Sequence, residues 1–251
     1  MLDGASRLFQ VCYLLADLEA RKEIDGLVAG GGFADRTAER LFRRHLNSYY
    51  AAALMMPYAR FMRACESSGY NLTLLQRRFN AGFEQVAHRL TTLQRVGARG
   101  LPFFMLRIDR AGQVSKRYAG ASGAALVEAE GRCPLWNVHA AFERRGEIMR
   151  QMVEMEDGER WFTISRTVQG QGSGLGAGSA IFAIALGLKE EFAASLALEL
   201  SPDQVPVQPI GLGCSACTRA DCAQRSAPPR GRALQFSERE RGVSPFVFAA
   251  D

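Results

Sequence analysis

The stretch LPFFMLRID at residues 101–109 marks the point at which the character of the chain changes. Its residues predict a strand, the segment DRAG at 109–112 predicts a turn, and residues 114–118 predict the returning strand. Before this stretch, residues 2–96 carry apolar side chains at helical spacing. After it, residues 160–168 alternate as a further strand does. The sequence therefore predicts an α+β protein, with a helical part followed by a mixed α/β part.

Two later segments complete the outline. Residues 145–157 fit a helix and a strand equally well, and a helix is predicted from about residue 179 to residue 198. We expect three parts along the chain: a helical domain at 1–98, an α/β domain at 99–205, and a cysteine-rich loop with the C-terminal tail at 206–251.

Bulk composition indicates a globular protein. The chain has 251 residues, of which 47% are hydrophobic and 23% are charged. Its net charge of +5 suits nucleic acid, an acidic partner or neither. No basic segment precedes an apolar run at the N-terminus, and the longest apolar run, at 179–188, is well short of the roughly 20 residues that span a bilayer. We expect a cytoplasmic protein without a membrane partner.

A cysteine-rich loop at residues 213–222, GCSACTRADC, carries the strongest chemical signal. Its cysteines have the spacing C-x2-C-x4-C and are Cys214, Cys217 and Cys222. Thiolates this close together on a loop suit zinc or an iron–sulfur cluster, and disulfides are a poor explanation in a cytoplasmic protein. Cys133 is the best fourth ligand because it also lies on a predicted loop, whereas Cys12 and Cys65 lie on apolar helix faces. Spacing alone leaves zinc, iron and three unliganded thiols open.

A glycine-rich segment, GQGSGLGAG, occupies residues 170–178. It contains the pattern G-x-G-x-x-A at Gly172, Gly174 and Ala177, between a predicted strand and a predicted helix. That context suits a dinucleotide-binding turn, which makes an NAD(P)-dependent oxidoreductase one alternative function. Too few residues follow for the further βα repeats of such a fold. We therefore favour the interpretation that this segment is a flexible, glycine-rich turn next to a ligand pocket.

The first helix resembles a zinc peptidase of the ImmA/IrrE type that has lost its catalytic residues. The segment FQVCYLLADLE lies where that family carries H-E-x-x-H, and YYAAALMMP at residues 49–57 resembles its F-A-A-x-L-L-M-P signature. By position, the metal-binding histidines become Cys12 and Ala16, the general base becomes Tyr13, and the acidic ligand becomes Leu46. A zinc hydrolase needs those groups. The sequence predicts a degenerate domain and a protein that is not an enzyme.

Three blocks together resemble the short-chain fatty acyl-CoA regulators, the ScfR family of bacterial transcription factors. They are residues 48–61 with their LMMP core, the pair HRLTTLQR at 88–95 and CPLWNVH at 133–139, and the cysteine loop followed by Pro228 and Pro229. The resemblance implies an effector domain that responds to acyl-CoA and controls propionate and related short-chain fatty acid metabolism. It also implies a [4Fe–4S] cluster on the four cysteines already named: Cys133, Cys214, Cys217 and Cys222. Such regulators contact DNA through an N-terminal helix-turn-helix, which we expect to be absent from this chain.

Acyl-CoA recognition needs cations for phosphates and an apolar slot for the remaining groups. The candidate binding residues are Arg107, Lys116, Trp136, Arg166, Gly172 and Gly174. We predict a GAF-like sensor domain at 99–205 in a chain that forms a homodimer, as regulators of palindromic sites commonly do. The alternatives are the oxidoreductase and a zinc-stabilised protein-interaction module.

Overall fold

The structure is a computed structural model that describes residues 4–130, 132–170, 180–197, 205–235, 239 and 246–248. It contains two compact units, Met1–Leu93 and Gln94–Asp251. Within the described ranges, no helix has the length and apolar character needed to cross a membrane.

The first unit is helical, which confirms the predicted character of most of residues 2–96. Its helices are α1 (Gly4–Glu19), α2 (Arg21–Gly30), α3 (Arg36–Met55), α4 (Tyr58–Ser67), α5 (Leu72–Phe79) and α6 (Phe83–Thr91). Local signals begin them: the Asp35 carboxylate accepts hydrogen bonds from the backbone of Thr37 and Ala38 at the start of α3. Asn71 caps α5 in the same way, and Pro57 immediately precedes α4.

The second unit contains a small hairpin and one six-stranded sheet. Its strands are β1 (Gln94–Arg95), β2 (Ala98–Arg99), β3 (Phe104–Ile108), β4 (Val114–Tyr118), β5 (Met149–Glu154), β6 (Arg160–Gln169), β7 (Ile181–Lys189) and β8 (Val207–Pro209). The sheet order is β4-β3-β7-β6-β5-β8, and β8 pairs with β5 in parallel while the other pairs are antiparallel. The strands predicted at 101–109, 114–118 and 160–168 are confirmed, and the ambiguous segment at 145–157 contains β5.

The predicted helix at about 179–198 is wrong. Residues 181–189 form β7, the strand between β3 and β6, and a short 3-10 helix at Glu190–Ser195 follows it. Residues 183–188 of β7 are all buried. A strand with both faces buried reads as a continuous apolar run, and such a run does not distinguish strand from helix by its period.

The two faces of the sheet are both apolar. One face, here called the α8 face, carries Phe104, Ala185 and Trp161 and packs against two short helices, α7 (Ala125–Glu128) and α8 (Asn137–Ala140). The opposite face carries Ile184 and Phe162, each 1% exposed or less. Among the described residues of the sheet, the buried polar side chains Thr163, Ser165 and Thr167 lie on the α8 face, where the CPLWNVH block meets the sheet.

Candidate cofactor and effector sites

The positions of the lost peptidase residues are occupied by packing groups. Ala16 on α1 is fully buried in an apolar cluster, and the half-buried Leu46 on α3 packs against that cluster. Cys12 is 6% exposed, and burial raises the pKa of its thiol, which disfavours the thiolate that a metal would require. These side chains stabilise the α1–α3 contact and offer no hydrolytic chemistry.

The HRLTTLQR block supplies a buried arginine that sequence reasoning missed. Arg89 is 2% exposed, and its Nε donates a hydrogen bond of 3.0 Å to the carbonyl of Met56 at the end of α3. Its guanidinium also lies 5.9 Å from the ring of Tyr49 and 5.8 Å from the ring of Tyr58. Its Nη1 donates a hydrogen bond to the hydroxyl of Thr92, which caps the C-terminal end of α6. The available signal was the apolar spacing of its neighbours, which places Arg89 on the buried side of α6.

The CPLWNVH block is fastened to the middle of the sheet. The Trp136 indole is 1% exposed and donates to the hydroxyl of Thr163 on β6 at 3.2 Å. The backbone N–H of Asn137 donates to the side-chain oxygen of Gln151 on β5 at 2.8 Å. The carbonyl of Cys133 accepts a hydrogen bond from the Trp136 backbone at 3.1 Å. The position of Cys133 is therefore set by a short segment attached to β5 and β6 through the buried Trp136 and Asn137.

The cysteine loop is organised around a second buried arginine. Arg225 is 5% exposed, and its Nη1 donates to the carbonyl of Cys214 at 3.0 Å. Its Nη2 donates to the carbonyls of Cys217 at 3.2 Å and Arg219 at 2.7 Å. The ring of Phe248 lies 4.8 Å from the guanidinium carbon. The Arg225 side chain thus binds three carbonyl groups of the loop and also contacts Phe248 in the C-terminal tail.

The same loop is attached to the end of β5. Nη2 of Arg219 donates to the carbonyls of Glu154 and Met155 at 2.9 and 2.8 Å. The Glu156 carboxylate accepts from the backbone N–H and the hydroxyl of Thr218 at 2.6 and 2.7 Å. Because Gln151 on β5 holds the CPLWNVH block, one strand anchors both of the segments that carry the predicted metal ligands.

The loop thiols differ in their surroundings. Cys217 is 7% exposed and lies against Gly211, where an added Cβ would come within 2.6 Å of its sulfur. The sulfur of Cys214 accepts a hydrogen bond of 3.4 Å from the backbone N–H of Ser226. Cys222 is half-buried. Backbone donors to sulfur of this kind are typical of thiolate-bound centres.

Several groups act on the pKa of Cys217. Burial raises this pKa, the backbone N–H of Arg219 lowers it, the Glu156 charge raises it, Arg225 lowers it, and the charge of Cys133 has the smallest effect and raises it. Over the described part of the chain, no three His, Cys, Asp or Glu side chains converge closely enough to hold a metal ion.

Three predicted effector residues lie in one row across the sheet. Lys116 on β4 pairs with Arg107 on β3, which pairs with Ile184 on β7, which in turn pairs with Arg166 on β6. Cross-strand partners share a face, so the three cations lie on the face opposite α8. Arg107 also lies 4.5 Å from the ring of Phe182, one row further along.

The other predicted effector residues are placed differently. Trp136 belongs to the core on the α8 face, because its partner Thr163 and the cation Arg166 are three residues apart on β6 and point to opposite sides. Gly172 and Gly174 lie outside the described residues. The stem of their segment is described: the backbone N–H of Gly170 donates to the carbonyl of Ala180, at the end of the sheet that carries the cationic row.

The helix required by the dinucleotide alternative is missing from its expected place. The glycine-rich segment connects β6 to β7, an antiparallel neighbour, whereas a dinucleotide-binding turn leads into a helix whose N-terminus faces the pyrophosphate. The oxidoreductase alternative therefore loses the structural context on which it depended.

The chain therefore combines a helical unit that has packing groups at the peptidase positions with a sheet unit that carries a thiol-rich loop and a cationic row, and it belongs to the α+β class. Two family comparisons agree with the division into units. The family described as IrrE N-terminal-like domain matches residues 2–91, and the family described as short-chain fatty acyl coenzyme A regulator, C-terminal, matches residues 92–246. The chain belongs to the short-chain fatty acyl-CoA regulator family, a family of transcriptional regulators rather than enzymes, as the sequence predicted.

Similar proteins from two bacteria carry regulator names. The chain is 38% identical over 98% of its length to the HTH-type transcriptional regulator RamB of Mycobacterium tuberculosis, and covers 53% of that protein. It is 36% identical over 95% of its length to the propionyl-CoA carboxylase regulator of Cereibacter sphaeroides, and covers 52% of it. A solved Mycobacterium tuberculosis transcriptional regulator matches 98% of this chain and 75% of its own with a TM-score of 0.89 at 36% identity. The chain spans about half the length of these curated relatives.

Proposed function

We propose that these residues form the effector-sensing part of a bacterial transcriptional regulator of short-chain fatty acid metabolism, and that the effector is a short-chain acyl-CoA. The observation that carries the proposal is the row formed by Lys116, Arg107 and Arg166. The row crosses four strands of a sheet face whose other residues include the buried apolar side chains Ile184 and Phe162. A phosphate-bearing ligand with an apolar acyl group needs both kinds of surface.

The position of the glycine-rich stem adds to this support. Gly170 and Ala180 bring the start and end of that segment to the same end of the sheet as the cations. Arg107 is kept in place by a hydrogen bond of 2.8 Å from its Nε to Ser115 and by the ring of Phe182. A guanidinium held in this way loses less side-chain entropy when it binds phosphate. The relative named as a propionyl-CoA carboxylase regulator has a name consistent with this effector class.

Binding of acyl-CoA to the 251-residue chain tests this part of the proposal. Propionyl-CoA should raise the melting temperature, and isothermal titration should give a Kd that rises about tenfold in Arg107→Gln and in Arg166→Gln, because each loses a charged contact. Arg160→Gln is the matched control, since Arg160 lies at the other end of β6. An equal response to NAD, or no response to any acyl-CoA, would contradict the proposal.

We further propose that Cys133, Cys214, Cys217 and Cys222 hold a [4Fe–4S] cluster. Four thiolates are the donor type that such a cluster takes, although no three of these side chains converge in the described part of the chain. Ser226 donates its N–H to the Cys214 sulfur, and Arg225 brings a positive charge within 4.0 Å of the Cys217 sulfur. When bound, the cluster supplies a thiolate-ligated centre that gains or loses an electron. The residues of the chain hold the loop backbone and balance the thiolate charge.

Anaerobic purification tests the cluster independently of the effector. Iron and sulfide should be present with visible absorption that bleaches on reduction, and Cys133→Ser should lose them. Cys12→Ala, in the helical unit, should retain them because Cys12 serves packing. Colourless protein with one zinc per chain would replace the iron–sulfur proposal by the zinc-stabilised interaction module.

The remaining proposals concern assembly. We propose that the protein acts in the cytoplasm as a homodimer and that DNA contact comes from a helix-turn-helix segment outside these 251 residues. The relatives named RamB and PrpR are described as HTH-type regulators. Sedimentation velocity at micromolar concentration tests the dimer, and a single monomeric species would contradict it.

A further inference from the structure

Helix α1 is apolar on two opposite sides, of which only one is buried. Cys12 and Ala16 lie on the inward side and are 6% and 0% exposed. Val11, Leu14 and Leu18 lie on the outward side and are 56%, 57% and 76% exposed. At about 3.6 residues per turn these three side chains form one line along the helix, here called the outer stripe. Apolar residues on both sides are typical of a helix that is covered on both sides.

The outer stripe differs from a single exposed leucine such as Leu74 on α5. Leu74 is 49% exposed, but the residues three and four positions after it, on the same face of the helix, are Arg77 and Arg78. One exposed leucine among charged residues is ordinary and needs no partner. Three aligned apolar side chains form a continuous surface, which indicates a contact with another protein segment.

The spacing of the outer stripe indicates what kind of segment covers it. Val11, Leu14 and Leu18 follow one another at intervals of three and then four residues. This is the a/d spacing by which one helix packs along another. The covering segment is therefore a helix with an apolar line of its own. Helix α1 of a second copy is such a helix, and a two-fold interface uses the same surface on both copies.

The charges beside the outer stripe favour an antiparallel arrangement of the two helices. The exposed Arg7 lies on the stripe side one turn before Val11, and the exposed Asp17 flanks Leu18. Two antiparallel α1 helices can place Val11 of each copy opposite Leu14 of the other. Arg7 then comes opposite Leu18 and beside Asp17, so that its stem covers the leucine and its guanidinium meets the carboxylate. A parallel pair would instead bring like charges together.

We infer that the outer stripe is the surface through which two copies of the chain associate, with their α1 helices antiparallel. The inference rests on the homodimer proposed above and names the surface that forms it. It is independent of the proposed acyl-CoA and cluster sites, whose residues belong to the second unit.

Sedimentation velocity of the full 251-residue chain tests this surface. The wild-type chain should dimerise at micromolar concentration, and Leu14→Lys and Leu18→Lys should each raise the dissociation constant about a hundredfold. Burying each leucine contributes at least about tenfold, and the two-fold symmetry counts it twice. Leu74→Lys is the matched control, because it places the same side chain at an exposed helix position outside the stripe. All three variants should keep the far-UV circular dichroism of the wild type, since each substituted residue is exposed.

A charge exchange tests the orientation. Arg7→Asp and Asp17→Arg should each weaken the dimer about threefold, because an exposed ion pair contributes little and is lost twice. The double variant with both changes restores opposite charges in an antiparallel pair and should recover the wild-type dissociation constant. Losses that add in the double variant would overturn the antiparallel arrangement.

The outcomes separate the outer stripe from the homodimer itself. A wild-type chain that remains monomeric at micromolar concentration contradicts both. A wild-type dimer that persists in Leu14→Lys and Leu18→Lys overturns the role of the outer stripe and leaves the homodimer to another surface. Larger open assemblies would also overturn it, because a two-fold interface closes at two copies.

Discussion

Replacing Arg225 by lysine keeps the positive charge of the cysteine loop and removes the planar fork. In the native protein, the two terminal nitrogens of Arg225 donate to the carbonyls of Cys214, Cys217 and Arg219 at 2.7–3.2 Å. A lysine ammonium at the end of a flexible stem does not reproduce that spread of donors. The loop should therefore open more often, even before any metal is bound.

The size of the effect follows from the number of bonds lost. If the lysine retains one of the three contacts, two hydrogen bonds from a charged donor are lost, at about 1.5–3 kcal/mol each. The lower limit of about 3 kcal/mol corresponds to roughly a 150-fold rise in the population of the open loop. The global stability should change less, because a loop of this kind opens without unfolding the sheet.

Alkylation of Cys217 measures this opening. Cys217 is 7% exposed, so its thiol reacts only when the loop opens. In metal-free, reduced protein, the iodoacetamide rate at Cys217, read by peptide mass spectrometry, should rise by about two orders of magnitude in Arg225→Lys. Arg230→Lys is the control because Arg230 is exposed in the same segment. An unchanged rate in Arg225→Lys would refute the role assigned to this side chain.

Three further predictions concern stability. Arg89→Met should lower the free energy of unfolding, measured in urea, by about 3 kcal/mol, because the hydrogen bond to the Met56 carbonyl is lost. Arg78→Met should leave it unchanged, because Arg78 is exposed. Gly187→Ala should cost about 1–3 kcal/mol, since its Cβ would lie 2.5 Å from the Phe104 ring. Burial lowers the pKa of His139 in the folded protein below its ordinary value of 6.5. As the pH falls below about 6.5, the unfolded chain therefore binds a proton at this residue more readily than the folded chain, and the free energy of unfolding should decrease. The decrease should be less steep in His139→Gln.

Each of these has an outcome that contradicts it. An unchanged urea midpoint in Arg89→Met would show that the buried guanidinium does not stabilise the helical unit. Gly26→Ala is the reference for Gly187→Ala, because nothing lies within 4 Å of its added Cβ and alanine favours a helix by about 0.5–1 kcal/mol. A loss of stability in both variants would remove the steric explanation. Parallel stability curves from pH 5 to 7 in wild type and His139→Gln would exclude His139 as the titrating group.

The helices and the amphipathic strands were predictable because their patterns are local. β4, for example, lies at the residues predicted, since Val114–Tyr118 follows an obvious turn. β7 was not predictable, because its alanines and leucines favour a helix and its burial on both sides leaves no alternation to read. β8 has only three residues and depends on its parallel pairing with β5.

For the candidate sites, sequence reasoning found residue types and missed their arrangement. Arg107, Lys116 and Arg166 were selected as cations, and only the strand register places them in one row. Trp136 was selected as an apolar ligand contact, but its indole N–H is committed to Thr163 in the core. Nothing in the sequence distinguishes Arg225 from the other arginines near the cysteine loop, because its three carbonyl contacts depend on how the loop folds.

The order of the strands has a consequence for how copies of the protein can associate. Among the described strands, the outermost ones are β8, where Pro209 has no N–H to offer another strand, and β4, which carries Lys116 and Arg117. Short edges, proline and like charges are the features by which natural sheets resist edge-to-edge pairing. Two copies of this unit therefore gain little by joining their sheets, and association through helices or sheet faces is favoured over a continuous intermolecular sheet.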